Sequence, residues 1–203
     1  MIRLGLPKGR MASDSDKFCD ALGVTTRPGV LNYQAIAEGL ELSVFLLKAP
    51  DVAWLLRRNV LDLGLTGDEW LMETGADLDC RCFEVRSYTA SVCLLMAEYD
   101  ARPQRSIRSV VTPYPTLARR LMSSIAPKAE ITAVRGSTEA LVPGIADACI
   151  DVVETGTSAA LNSLTIRECF DQVTTHLVRS EASNPDMVRP IVGLLAETLG
   201  LVR

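Results

Sequence analysis

The sequence predicts an α/β protein built as two lobes, and three observations carry that expectation. Short apolar runs alternate with amphipathic stretches along the chain, as in linked βαβ units. Several of the apolar runs end in glycine, small hydroxyl residues or a cation, the composition of strand ends that meet a ligand in open α/β sheets. A polar, arginine-rich stretch over residues 98–109, with Pro103 inside it, reads as a linker.

The elements follow in order. Residues 2–6 form a first strand, and Lys8-Gly9-Arg10 is the loop after it. Residues 13–22 read as a helix, with Ser13 or Asp14 as its cap. A second strand covers residues 42–47, and a helix over 51–58 holds Trp54 and Leu55 inside. A third strand, 61–65, ends at Thr66-Gly67, and a short helix over 68–74 follows. Residues 82–96 are long extended structure rich in Val, Leu and Cys. Val110 and Val111 form a strand before Thr112, with a helix over 116–123 and a strand over 131–134 after it. The apolar strand 148–153 runs into Glu154-Thr155-Gly156-Thr157-Ser158. A late strand at 174–178 precedes a terminal helix over 186–199, with Asn184 or Pro185 near its start. One lobe then holds residues 1–90 and 174–203, and the other holds 91–173. Extended crossings near 88–96 and 173–178 join them.

Composition narrows the classes of function. A chain of 203 residues can bury a real core, and 48% hydrophobic with 23% charged residues is ordinary for a soluble globular protein. A formal net charge of −4 excludes bulk attraction to nucleic acid or an anionic membrane, so an anionic ligand needs a local site. No apolar run approaches the roughly 20 residues of a membrane helix. Arg3, Lys8 and Arg10 interrupt the first apolar stretch, which is not that of a secretory signal; the expected location is cytoplasmic. In a reducing cytosol the 6 cysteines are expected as thiols, and the Cys80-x-Cys82 pair lacks the spacing of a usual zinc or redox site. His176 is the 1 histidine, which excludes a His-rich metal site and suits a structural role in its apolar strand. Neither a Gly-x-Gly-x-x-Gly fingerprint nor a P-loop is present.

The strongest chemical signal is Asp151-Val-Val-Glu-Thr-Gly-Thr-Ser158. A phosphate needs backbone N–H groups that can come close and hydroxyl donors beside them. Thr155, Gly156, Thr157 and Ser158, leading into a helix, supply both. Asp151 and Glu154 would repel a phosphate but suit sugar hydroxyls or Mg²⁺, so the segment fits a phosphoribosyl group. Pro7-Lys8-Gly9-Arg10 puts cations at a strand end, where a polyphosphate would bind. Thr66-Gly67, Thr112-Pro-Tyr114-Pro and Arg135-Gly136-Ser137-Thr-Glu139 repeat the arrangement. Each alone also reads as an ordinary strand-to-helix turn; together they suit one cleft.

Taken in order, LGLPKGRM, DVAWLLRRNVLDLGLTGDEWL, VVTPYPTLARRLM, RGSTEA and GIADACIDVVETGTSAALNSLTI resemble the blocks of the ATP phosphoribosyltransferase family over most of the chain. The length resembles the family's short form. The resemblance implies an α/β, two-lobed fold like the type II periplasmic binding proteins, as in type IV phosphoribosyltransferases. It implies transfer of the phosphoribosyl group of phosphoribosyl pyrophosphate (PRPP) to N1 of ATP in the first step of histidine biosynthesis, with Mg²⁺ as cofactor. It further implies homo-oligomers and a regulatory subunit resembling histidyl-tRNA synthetase. Asp151, Glu154, Thr155, Gly156, Thr157 and Ser158 would hold PRPP. Lys8, Gly9, Arg10, Lys48, Thr66, Gly67, Thr112, Tyr114, Gly136, Ser137 and Glu139 would serve ATP and pyrophosphate, and no proton-transfer residue is implied.

The chain also departs from the family's pattern. Ser158 stands where Thr is usual and Ser163 where Gly is usual. Lys48 is the remaining cation of a loop that is Arg-rich in the family, and Ala90, Ser91 and Val92 replace a basic position. These changes leave open a PRPP-dependent transferase acting on another heterocycle, and the two-lobed fold itself leaves open a non-catalytic small-ligand-binding protein.

Overall fold

The computed structural model describes residues 1–24, 34–37, 39–76 and 78–201. The chain divides into two compact units: Met1–Ser87 with Thr174–Arg203 is unit 1, and Tyr88–Val173 is unit 2. Two long strands, β5 (Arg81–Ala97) and β9 (Leu164–Arg179), have one part in each unit.

Unit 1 contains β1 (Ile2–Pro7), α1 (Ala12–Ala21), β2 (Gln34–Ala37), β3 (Leu42–Leu47), α2 (Ala49–Arg57), β4 (Leu63–Gly67), α3 (Asp68–Thr74) and the terminal α6 (Pro185–Thr198). Its strands run in the order β2-β3-β1-β4-β9. β1 lies parallel to β3 and β4, while β2 and β9 are antiparallel to their neighbours. Leu4 and Leu6 of β1, Leu42 of β3, and Leu63 and Leu65 of β4 are wholly buried, as expected of interior parallel strands covered on both faces.

Helix α2 buries Val52, Ala53 and Leu56. Gly64 is what lets it approach β4: a Cβ there would lie 2.7 Å from Val52 Cγ1 and 2.8 Å from Leu56 Cδ1. The close neighbour at this glycine is therefore a helix. Trp54, expected inside, is 44% exposed, with the Arg58 guanidinium 6.0 Å from its ring centre. Helix α6 starts where Asn184 accepts the Asp186 N–H at 2.9 Å, and it buries Val188, Ile191, Val192 and Leu195 at helical spacing. The expected Ser13 or Asp14 cap of α1 is corrected. A 3-10 turn, Gly9–Met11, runs straight into the helix, Met11 is its N-cap, and Asp14 is buried beside Lys17 at 3.0 Å.

Unit 2 contains parts of β5 and β9 with β6 (Ser109–Thr112), α4 (Pro115–Ile125), β7 (Glu130–Ala133), β8 (Ala148–Val153) and the short α5 (Thr157–Leu161). Its order is β9-β5-β8-β6-β7, with β8, β6 and β7 parallel and β5 antiparallel to β8. One side of the unit 2 sheet packs Cys93, Leu95, Val111, Cys149, Ala159 and Leu164 together.

Residues 98–109 are not a linker; they lie inside unit 2. Arg102 reaches Asp100 at 2.7 Å and Asp147 at 3.0 Å, while Arg167 donates to the Ala97 carbonyl at 3.2 Å. The late strand is also longer than its apolar run: β9 begins at Leu164, before the polar residues Arg167, Glu168, Asp171 and Gln172. The cysteine expectation is corrected at one pair. Cys93 and Cys169 form a disulfide, because β5 and β9 are adjacent and bring the two Cα atoms to 4.2 Å. Cys19, Cys80, Cys82 and Cys149 remain thiols.

Among the described residues, no helix is long and apolar enough to cross a membrane.

Candidate functional site

The parallel strands of each unit place the sequence-selected residues at one edge of that unit's sheet. In unit 1, β1, β3 and β4 end on the same side. Lys8 follows β1, Lys48 follows β3, and Thr66-Gly67 close β4. The Lys8 N–H donates to the Leu47 carbonyl at 2.7 Å, so two of these ends are tied together. The Ser15 hydroxyl donates to the Pro7 carbonyl at 2.6 Å and fixes the strand end from which Lys8, Gly9 and Arg10 project. All three of those residues are exposed, as is Lys48.

Thr66 and Gly67 differ: both are buried, and a Cβ on Gly67 would collide with the Glu69 carboxylate. Beyond them, Asp68 ties unit 1 together. Its carboxylate accepts the Thr174 N–H at 3.1 Å, lies 3.2 Å from Arg81 Nη1, and has His176 Nδ1 3.1 Å away. Burial alone would raise the Asp68 pKa, yet the His176 ring, the Thr174 N–H and Arg81 together leave it lowered. His176 is thus a structural partner in a buried polar cluster.

In unit 2, β6, β7 and β8 end together in the same way. Thr112 ends β6, residues 135–139 follow β7, and residues 154–158 follow β8. The Thr112 hydroxyl accepts the Tyr114 N–H at 3.0 Å, and both side chains are buried, so this pair shapes the turn into α4. Gly136 and Ser137 are exposed and Glu139 is half-buried.

The loop after β8 is open. Glu154, Thr155, Thr157 and Ser158 are exposed. Gly156 has φ 75°, a left-handed conformation that an L side chain resists, and beyond its two chain neighbours no atom lies within 4 Å of a Cβ built there. The Thr155 and Thr157 hydroxyls are 3.0 Å apart, side by side on the loop. Helix α5 is only 5 residues long, so the donors of this loop are its backbone N–H groups and hydroxyls, with little help from a helix dipole.

Asp151 is the most constrained acid at this edge. Its Oδ2 accepts the Thr138 hydroxyl at 2.6 Å and its Oδ1 accepts the Val152 N–H at 2.7 Å. Cys149 lies on the same strand face, wholly buried. Burial above all pushes its thiol pKa up to about 12; a hydrogen bond with Thr138 opposes this, and the nearby Asp151 and Glu139 charges add smaller raising effects. Cys149 is therefore an inert core thiol. Thr138 had no role of its own in the sequence reading. Its signal was its place between Ser137 and Glu139, and its burial was invisible there.

Known proteins resemble this chain over most of its length. A family model described as ATP phosphoribosyltransferase matches residues 48–198. An ATP phosphoribosyltransferase of Rhodopirellula baltica is 29% identical over 88% of this chain, which spans only 61% of that relative's length. One from Alkaliphilus metalliredigens is 29% identical, with 96% of this chain and 95% of the relative covered. Among solved structures, a chain of the ATP phosphoribosyl transferase (HisG:HisZ) complex from Thermotoga maritima superposes with a TM-score of 0.85 at 23% identity, over 98% of this chain and 99% of that one. The arginine-bound form of a truncated ArgBP from the same organism superposes at 0.59 with 13% identity, covering 98% and 94%. The fold is therefore the α/β fold shared with periplasmic binding proteins of type II.

Proposed function

The chain belongs to the ATP phosphoribosyltransferase family, and from that premise we propose that it transfers the phosphoribosyl group of PRPP to N1 of ATP. The N1 lone pair forms the new bond to C1 of the ribose, the C1–O bond breaks, and its electron pair leaves with pyrophosphate. This is the first step of histidine biosynthesis, placed in the cytoplasm. A separate regulatory subunit, of the kind named in the Thermotoga maritima complex, and assembly of several copies of this chain belong to the same proposal.

The observation that carries the reading is the edge of unit 2. An open hydroxyl-rich loop around Gly156 follows closely, along the chain, an acid whose two oxygens are already oriented. Thr155, Gly156, Thr157 and Ser158 suit the 5′-phosphate. Asp151, with Glu154, suits the ribose hydroxyls, for which carboxylates are good acceptors. Thr112, Tyr114, Gly136, Ser137 and Glu139 border this edge. The exposed cations Lys8, Arg10 and Lys48, with Gly9, Thr66 and Gly67, are assigned to the pyrophosphate and ATP. Such a displacement is accelerated by holding the reactants in line and by stabilising the leaving charge, and it needs no side-chain base.

Among the described residues, no group of three or more His, Cys, Asp and Glu side chains could hold a metal ion. No step is therefore assigned to a protein-held metal. Mg²⁺ is proposed to arrive with the pyrophosphate oxygens of PRPP, the hard ligands it prefers.

The test is turnover with PRPP, Mg²⁺ and ATP, with and without the candidate regulatory subunit. A product carrying phosphoribosyl on N1 of the adenine is expected. Turnover with another heterocycle but not with ATP would overturn the acceptor, and binding without any turnover would overturn the reaction.

A further inference from the structure

We propose that Thr138 is a positioning residue: its hydroxyl holds the Asp151 carboxylate in the orientation that receives the ribose of the substrate. The inference rests on the reading of the unit 2 edge as a phosphoribosyl site.

The Thr138 side chain is wholly buried, at 0% exposure, in the 3-10 turn Thr138–Leu141 that packs on β8. Buried hydroxyls are costly unless they find partners, so the direction of this one is determined by its acceptors. The hydroxyl has one proton. Asp151 Oδ2 is 2.6 Å away and Glu139 Oε2 is 3.4 Å away, and the third neighbour, the Cys149 thiol, is protonated and can donate to the hydroxyl oxygen, so the proton goes to Asp151. A separation of that size is typical of an O–H donor to a charged oxygen, a strong and directional bond. With Oδ1 accepting the Val152 N–H at 2.7 Å, the carboxylate is gripped at both oxygens and cannot swing about its terminal bond. Cys149 lies on the same face of β8 beneath it, so the grip is built against a packed floor.

A carboxylate has several lone-pair sites, and occupying one at each oxygen leaves others for a ligand. Fixing it before the ligand arrives removes the cost of ordering it on binding. Among the described residues, the hydrogen bonds of the Thr138 hydroxyl go to Asp151 and Glu139 and not to the exposed loop 154–158, so its effect should be confined to the sugar end of the ligand.

The experiment is calorimetric binding of PRPP and, separately, of inorganic phosphate to wild type, Thr138→Val and Thr138→Ser, each checked by circular dichroism. Thr138→Val keeps the shape and removes the hydroxyl; Thr138→Ser keeps the hydroxyl. PRPP affinity is expected to fall on the order of tenfold in Thr138→Val and to stay within about twofold in Thr138→Ser. Phosphate affinity is expected to be unchanged in both. Thr138→Ala serves the same comparison should Thr138→Val fail to fold. In an Asp151→Asn background, Thr138→Val should have no further effect on PRPP. A folded Thr138→Val protein that binds PRPP as wild type does, or that loses PRPP and phosphate equally, overturns the inference while leaving the functional reading intact. Absence of PRPP binding by wild type overturns that reading and this inference with it.

Discussion

Cys93 stands directly opposite Asp151 in the β5–β8 ladder, and on its other side it is bonded to Cys169 of β9. The disulfide therefore braces the strand that neighbours the proposed ribose acid. It closes a loop of sequence separation 76, and one of its cysteines, Cys169, is exposed to reductant. Closing a long loop restricts the unfolded chain, and such bonds typically contribute about 2–4 kcal/mol. Protein purified without reductant is expected to yield a Cys93–Cys169 linked peptide, and Cys169→Ser is expected to unfold at lower urea by that amount. Fully alkylated Cys93 and Cys169 in protein denatured without reductant would contradict this.

Arg3 and Asp62 form the clearest ion pair of unit 1, with Nε to Oδ2 at 2.8 Å and Nη2 to Oδ1 at 3.0 Å. The Arg3 hydrogen bond lowers the Asp62 pKa, against a smaller raising effect of burial. The unfolded value is about 3.9. A depressed folded value means the contribution to stability is complete above roughly pH 4 and is lost as pH falls through the lowered pKa. Arg3 is 43% exposed, so solvent reduces the contribution to about 1 kcal/mol. Asp62→Asn should lose that amount at pH 7 and show a shallower decline in stability below pH 4. Equal slopes for both proteins in acid would contradict the assignment.

Ser163 has φ 54°, a left-handed conformation at the turn between α5 and β9. A side chain there costs roughly 1–2 kcal/mol. Glycine relieves that strain but gives back about 0.5–1 kcal/mol in chain entropy. Ser163→Gly is therefore expected to raise stability by about 0.5–1 kcal/mol in urea unfolding. A loss of stability would show that the Ser163 side chain makes a compensating contact.

Lys8 and Arg10 lie exposed beyond a strand end fixed by Ser15. Lys8→Ala and Arg10→Ala should each change stability by no more than about 0.5 kcal/mol. Both should weaken substrate use, measured as kcat/KM for PRPP and ATP. Wild-type kinetics in both variants would make the loop a plain solvated turn.

Much of this architecture was legible because local chemistry and tertiary placement agree. The apolar run 148–153 is β8, the Asn184 cap starts α6, and Asp68–Thr74 is a helix in both sequence and structure. Three of the misses share a cause: each depends on a partner far along the chain. The first half of β9 is largely half exposed and interrupts its apolar residues with Arg167, Glu168 and Asp171, so its pairing with β5 left no apolar run to read. Residues 98–109 look like a linker in composition, yet Asp147 and Arg167 bind them to unit 2. The Cys93–Cys169 bond required the β5–β9 adjacency. At the candidate site the hydroxyl loop was visible as a run of small residues, whereas the role of Thr138 became visible only once β8 and the turn before it were packed together.

The measurement closest to the central claim is PRPP affinity by calorimetry for wild type, Thr155→Ala and Gly156→Val, each shown to be folded. Hydrogen bonds to a charged phosphate oxygen are worth about 1.5–3 kcal/mol, so Thr155→Ala should weaken binding on the order of ten- to a hundredfold. Gly156→Val should cost more, since φ at this position is 75° and a side chain would also hold the phosphate away from the backbone donors. Ser158→Thr, which keeps the hydroxyl, should bind as wild type does or slightly better. Folded Thr155→Ala and Gly156→Val proteins that bind PRPP as tightly as wild type would contradict the assignment of this loop to the phosphoribosyl group.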